Sequence, residues 1–251
     1  MAVTVSVVQL KPETLEAFLA YIRDAEATMQ PSLVGGAPFL WSDESPDRAR
    51  QVRQGDTPAR LWAGSSPLHV TDGLIHDWIG AARIANTTLA KTVARVQDYN
   101  HHKDIYKPDV MDSRLLSHRG DDFNIFLRLL KKKIITVVMD TEHAVHYQHI
   151  TPSTCFCRSY TTRVCEVDDA GTPKEQVHPP DTGYGFLWRL YSYWRFMGDA
   201  DGVIVECRAI SLTRDIPRGL GFVLEPIIKN LPRESLINTL KATRQALSGA
   251  S

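Results

Sequence analysis

No surplus of one charge marks this chain: its 29 Lys and Arg residues balance 29 Asp and Glu, for a formal net charge of zero. A protein that holds nucleic acid by displacing counterions from phosphates carries a basic excess, so general nucleic-acid binding is excluded as a role. No apolar run approaches the roughly 18 residues that a membrane span needs. The opening MAVTVSVVQL is apolar but has neither a basic start nor a cleavage site. It is not read as a signal peptide, and the expected location is cytoplasmic, with export under an upstream signal left open. Cysteine is scarce, at four residues, a number compatible with either redox compartment. Cys155 and Cys157 form C-x-C, not the C-x-x-C of zinc or redox sites, and no second pair answers them. On one strand they would stand about 6.6 Å apart, too awkwardly placed for a disulfide. His143, His146 and His149 lie near them, yet on a strand the outer two are roughly 20 Å apart and His146 points to the other face. No metal and no cofactor is expected. G-x-S-x-G, Walker A and H-E-x-x-H are all absent, which removes several common enzyme classes.

What is present is periodic. At 251 residues the chain is long enough for one large domain, or a domain with an extension, and a substantial core. Up to about Thr71 it reads as an extension. Pro12 opens a helix with Leu15, Phe18, Leu19, Ile22 and Ala25 on one side and Met29 a turn later. A Pro- and Gly-punctuated stretch follows, relieved only by apolar segments around Trp41 and Trp62. The extension is expected to be a structural brace; a lid over a cavity is the alternative.

The region 72–251 reads as a second, α+β unit. After Gly73–Ile84, whose alternation is too loose to assign faces, Asn86, Thr87 and Thr88 offer caps for a short helix carrying Leu89, Val93 and Val96. Strands follow. Phe123, Ile125, Leu127 and Leu129 share one face, as do Ile135, Val137 and Met139 of the next strand. From Thr154 to Val167 the inward face is ambiguous, and 168–183 is a polar connection without periodicity. Phe186, Trp188, Leu190, Trp194 and Phe196 share one parity, and so do Val203, Val205, Cys207 and Ala209 beyond a Gly198–Gly202 turn. Leu220, Val223, Leu224, Ile227, Ile228 and Leu231 then fall at helical spacing. Pro226 and Pro232 are placed to kink or divide that helix.

LIHDWIGAARI opening this unit, the WRLYSYWRF strand and AISLTRDIPRGLG before the last helix resemble bacterial members of the START/Bet v 1-like (SRPBCC, polyketide cyclase-like) superfamily. The resemblance covers roughly Asp72 to Leu247. It implies a helix-grip fold, a curved seven-stranded antiparallel sheet around a long C-terminal helix, and an internal hydrophobic cavity. Superfamily members include lipid carriers, hormone receptors, cyclases and hydrolases, so fold is the firmer implication.

The expected function is therefore non-catalytic binding, with carriage, of a hydrophobic small molecule or lipid. Its walls would be Phe123, Leu127, Val137, Met139, Trp188, Trp194, Val205, Leu224, Ile227, Ile228 and Leu231. No catalytic residue is assigned. A cyclase or hydrolase is the alternative, with His143 sharing the cavity side with Thr141 as a general base. A partner-binding regulator is the third, with an exposed apolar patch around Trp41 or Trp62. Lys131–Lys133 suits transient contact with anionic lipid, or an edge kept soluble. Arg189 and Arg195 fall on the outer parity, facing Glu142 or Glu206.

Overall fold

The structure is a computed structural model and describes residues 6–62, 67–132, 136–215 and 221–248. In chain order, β1 (Val8–Gln9) leads to α1 (Pro12–Leu33), a 3-10 turn (Ser42–Glu44) and α2 (Pro46–Arg53). Then come β2 (Ala59–Leu61), β3 (Leu68–Val70), β4 (Gly73–Ala85), α3 (Leu89–Val96), a second 3-10 turn (Tyr99–His101) and α4 (His102–Ile105). Four long strands follow: β5 (Val110–Arg119), β6 (Asp122–Lys132), β7 (Thr136–Thr151) and β8 (Thr154–Asp168). The chain ends with β9 (Gln176–Val177), β10 (Thr182–Gly183), β11 (Arg189–Asp199), β12 (Gly202–Arg214) and α5 (Gly221–Ser248).

The main sheet is antiparallel, in the order β2-β4-β12-β11-β8-β7-β6-β5, with β3 also on β4 and β9 on β8. It has ten strands rather than seven. The additional β2, β3 and β9 are two or three residues long, too short for a period-two signal to register in sequence. β1 and β10 form a separate pair, and β9 and β10 both fall within the connection that showed no pattern. α5 crosses the sheet over β4, β12 and β2 and meets α3 and α4, which is the helix-grip arrangement. It runs as one helix through Pro226 and Pro232, neither of which divides it.

Both faces of the sheet are covered. On the helix face, Leu89 and Val93 of α3, Tyr99, and Leu236 and Leu240 of α5 pack with Trp78, Tyr147, Phe196 and Val205. On the opposite face, Phe18, Ile22, Ala25 and Met29 of α1 cover Ile75, Phe156, Tyr193, Ile210 and Leu212. Leu40, Trp41 and Val52 cover Ile79, Ala81 and Ile204 beside them. Double coverage explains why β4 shows no alternation: a strand buried on both faces carries apolar residues at both parities.

α1 lies on the face away from α5. Polar contacts fix the extension there. Glu206 accepts hydrogen bonds from the Trp41 and Ser42 backbone N–H groups at 2.8 and 2.7 Å. Arg208 donates to Asp77 through Nε and Nη2, the Nη2 bond being 2.6 Å, and the Tyr21 hydroxyl donates to the same carboxylate at 2.7 Å. Arg195, opposite Glu206 in register, donates to Ser32 Oγ at 2.8 Å. A buried pair such as Asp77–Arg208 adds little net stability, but removing one partner strands the other charge.

One irregularity matters for the site. Glu142 pairs with Arg163 while His143 pairs with Thr161, so Thr162 is an extra residue on β8. A bulge of this kind reverses the parity of the residues beyond it. Cys155 and Cys157 face the helices before it and Val164 does so after it, which is why the β8 sequence points to neither face.

Candidate functional site

The helix face of the sheet holds two apolar clusters with a polar row between them. One cluster lies under α3, Tyr99 and the C-terminal half of α5. The other gathers Met139, Val164 and Leu187, with Leu129, Val137 and Leu190 packed against it. The register aligns Ser211, Leu190, Thr161, His143 and Ile125 across five neighbouring strands, with His76 opposite Ser211 on β4. The adjacent row is Trp78, Ala209, Ser192, Ser159, Val145 and Phe123. None of these residues is an acid, a lysine or an arginine.

Hydrogen bonds orient the row. Thr141 Oγ1 donates to the Leu127 carbonyl at 3.0 Å, so it accepts from His143 Nε2–H, also at 3.0 Å. His143 Nδ1 is then a bare acceptor, and the Ser159 hydroxyl donates to it over 3.4 Å. Thr161 Oγ1 accepts from the Leu190 backbone N–H at 3.0 Å, and Ser192 Oγ accepts from Trp194 Nε1–H at 3.3 Å. His76 Nε2 meets Thr213 Oγ1 at 3.2 Å. Burial pushes His143 and His76 down from 6.5 to about 4, so both rings are neutral at neutral pH. His102, whose Nε2–H donates to the Val96 carbonyl at 2.8 Å, is lowered to about 4 for the same reason.

Accessibility is unevenly spread over this face. β12, β11 and β8 are central strands, where a side chain pressed against a helix would be closed off. Val203, Phe196 and Cys155 are, each at 0% exposure. Yet Ala209, Ser192, Ser159, Leu190 and Trp194 on the same strands are only half-buried, as are Leu127, Leu129 and Val137 beside them. The helix face thus keeps accessible surface at its middle and toward the Val137 end.

The residues expected to form walls divide accordingly. Leu127, Val137 and Trp194 lie on this part of the helix face, Met139 lies beside Val137 but is buried, and Leu231 of α5 is half-buried. Phe123 and Val205 share the face but sit in the closed cluster; the Phe123 ring contacts Tyr99 and Tyr147. The side chains of Leu224, Ile227 and Ile228 lie outside the described residues. Trp188 is a correction. It packs with Ile22, Phe156 and Leu212 in the α1 cluster, because it precedes β11 and the strand's alternation does not reach it. Thr141 and His143 do share the helix face, as the alternation predicts. Ser159 and Ser192 carry no signal of their own in the sequence; their direct pairing is a matter of register, which no single-strand pattern shows.

Other expected features are placed elsewhere. Trp41 is buried under the cations of Arg48 and Arg60, and Trp62 lies over Arg208, so neither makes an exposed apolar patch. Arg189 pairs with Asp181 rather than with Glu142, which pairs with Arg163. Lys131 is held by Asp109 at 2.8 Å. Among the described residues no group of three or more His, Cys, Asp or Glu side chains is placed to hold a metal, and no helix is long and apolar enough to cross a membrane.

No protein-family model matches the chain, and no curated protein matches it. Solved structures similar in fold include a STAR-related lipid transfer protein from Xanthomonas axonopodis, 20% identical, with a TM-score of 0.49 over 75% of this chain and 98% of that one. A START superfamily protein from Mycobacterium smegmatis is 13% identical, with a TM-score of 0.48 over 70% of this chain and 99% of that one. The Zhui aromatase/cyclase from a Streptomyces species is 11% identical, with a TM-score of 0.45 over 68% and 93%. None of these likenesses assigns a role to a residue of this chain.

Proposed function

We propose that the protein binds a hydrophobic small molecule or lipid, without transforming it, between the middle of the helix face and α5. The observation that carries this is the half-buried state of Ala209, Ser192, Ser159, Leu190 and Trp194 on central strands. Side chains there would be closed off if helix and sheet meshed throughout. The walls are Leu127, Val137 and Trp194, with the half-buried Leu231 contributed by α5 and Met139, Phe123 and Val205 as the packed floor. Apolar burial at roughly 25 cal/mol per Å² supplies the drive, and the few polar groups supply orientation.

The test is native mass spectrometry of the purified protein, followed by titration of the stripped protein with fluorescent lipids while tryptophan quenching is compared between the wild-type chain and Trp194→Phe. A co-purifying or titrating apolar ligand is the expected result. Absence of both an adduct and saturable binding across sterol, fatty alcohol and polyketide-like probes refutes the proposal.

A catalytic reading has one observation in its favour: Thr141, His143 and Ser159 converge within hydrogen-bond reach. We rank it second. General-base catalysis is most effective with a pKa near the working pH, and burial holds His143 near 4. Turnover of activated esters that is lost in His143→Ala would reverse this ranking.

A further inference from the structure

We infer that Ser159 and Ser192 form a paired anchor for a hydroxyl group, so that the ligand is a hydrophobic alcohol or phenol rather than an acid or a phospholipid. This rests on the binding site proposed above and adds the chemistry of the head that enters it. The two serines lie directly opposite each other on β8 and β11, and both keep accessible surface. Their protons are committed differently. The chain from the Leu127 carbonyl through Thr141 and His143 draws the Ser159 proton toward Nδ1, which leaves Ser159 Oγ facing outward as an acceptor. Ser192 Oγ already accepts from the Trp194 indole, which leaves its own O–H free to donate.

One acceptor beside one donor matches a group that is both. A hydroxyl donates to Ser159 and accepts from Ser192, whereas an ether or ketone only accepts. The surroundings reject charge: Leu190, Trp194, Ala209 and Val145 flank the pair, and the aligned rows hold no acid, lysine or arginine, their two histidines, His143 and His76, being neutral. A carboxylate or phosphate brought there would be desolvated without compensation. Burial that keeps His143 neutral works in the same direction.

The experiment uses two probe series, naphthalene and dodecyl, each as the alcohol, the methyl ether and the carboxylate, titrated into the full chain by calorimetry or tryptophan quenching. The expected result is a preference of roughly five- to tenfold for the alcohol over the ether, the worth of one net hydrogen bond, with the carboxylate weaker than both. Ser159→Ala, which removes the acceptor that only the alcohol uses, should bring the alcohol-to-ether ratio toward one, whereas Ser192→Ala, which removes the donor that both use, should weaken alcohol and ether alike, with circular dichroism native in both variants. Equal affinities in the wild-type chain, a preference that survives Ser159→Ala, or an unchanged affinity of both probes in Ser192→Ala overturns the anchor and leaves hydrophobic binding standing. If no probe of either series binds, the site itself falls and the anchor with it.

Discussion

Between pH 7 and 4, three buried histidines should each take stability from this protein as the pH falls. His76, His102 and His143 are each held near 4 against an ordinary 6.5, with burial the leading cause in every case. The sign comes from proton uptake. Between 6.5 and 4 the unfolded chain binds a proton at each site and the folded chain does not, so stability is full above 6.5 and falls as pH drops through this window. Each group contributes roughly 3 kcal/mol across the window, at about 1.4 kcal/mol per pH unit in its middle. Glu166 and Glu206, whose carboxyls burial pushes up, act in the opposite direction. The measurement must therefore be a difference between variants. Urea denaturation followed by tryptophan fluorescence, at steps from pH 7.5 to 4.5, should give a slope that shrinks by about 1.4 kcal/mol per pH unit in His143→Leu. The substitution will also shift the curve as a whole, but only the slope reports the titration. A slope equal to that of the wild-type chain would refute neutral burial of His143.

Phe18→Ala should cost roughly 3 to 5 kcal/mol, since the ring is fully buried and meets Tyr191 edge-on at 5.2 Å; chemical denaturation measures it. Because α1 lies on the far face, the alcohol-to-ether ratio of the folded variant should stay at its wild-type value, and a collapse would mean that the faces are coupled. Gly202→Ala should prevent soluble expression: at φ of 157° a β-carbon would sit 2.1 Å from the Ile84 carbonyl oxygen, so the β11–β12 hairpin cannot close against β4. Native-like thermal unfolding of that variant would contradict the geometry. Trp194→Ala should widen the proposed site, raising affinity for bulky polycyclic probes relative to small ones in competition titrations; an unchanged size preference would place the ligand elsewhere.

The strands and the last helix are legible in the sequence because β6, β7, β11 and β12 each keep a period-two pattern, which depends only on neighbours along one strand. Three other features depend on partners that no local pattern contains. The faces of β4 are hidden because α1 and the Trp41 turn bury what would otherwise be its polar side. The face of β8 is hidden because Thr162 is inserted relative to β7, so alternation read from Cys155 predicts the wrong side for Val164. Trp188 falls on the other face because the alternation stops where β11 begins, one residue later, and Trp188 is held instead by its backbone N–H on the Leu212 carbonyl. The bulge also explains why the polar row exists. By restoring Val164 to the helix face beyond Thr161, it lets an apolar cluster resume on the far side of His143. The hydroxyls of Ser159 and Ser192 therefore stand between two greasy walls and not at the margin of one. An amphipathic ligand lying along the sheet would have hydrocarbon contacts on both sides of its polar group. Such a site favours a molecule with an internal or ring hydroxyl over one with a large terminal head, a distinction that matched secondary and primary alcohols of equal length would reveal.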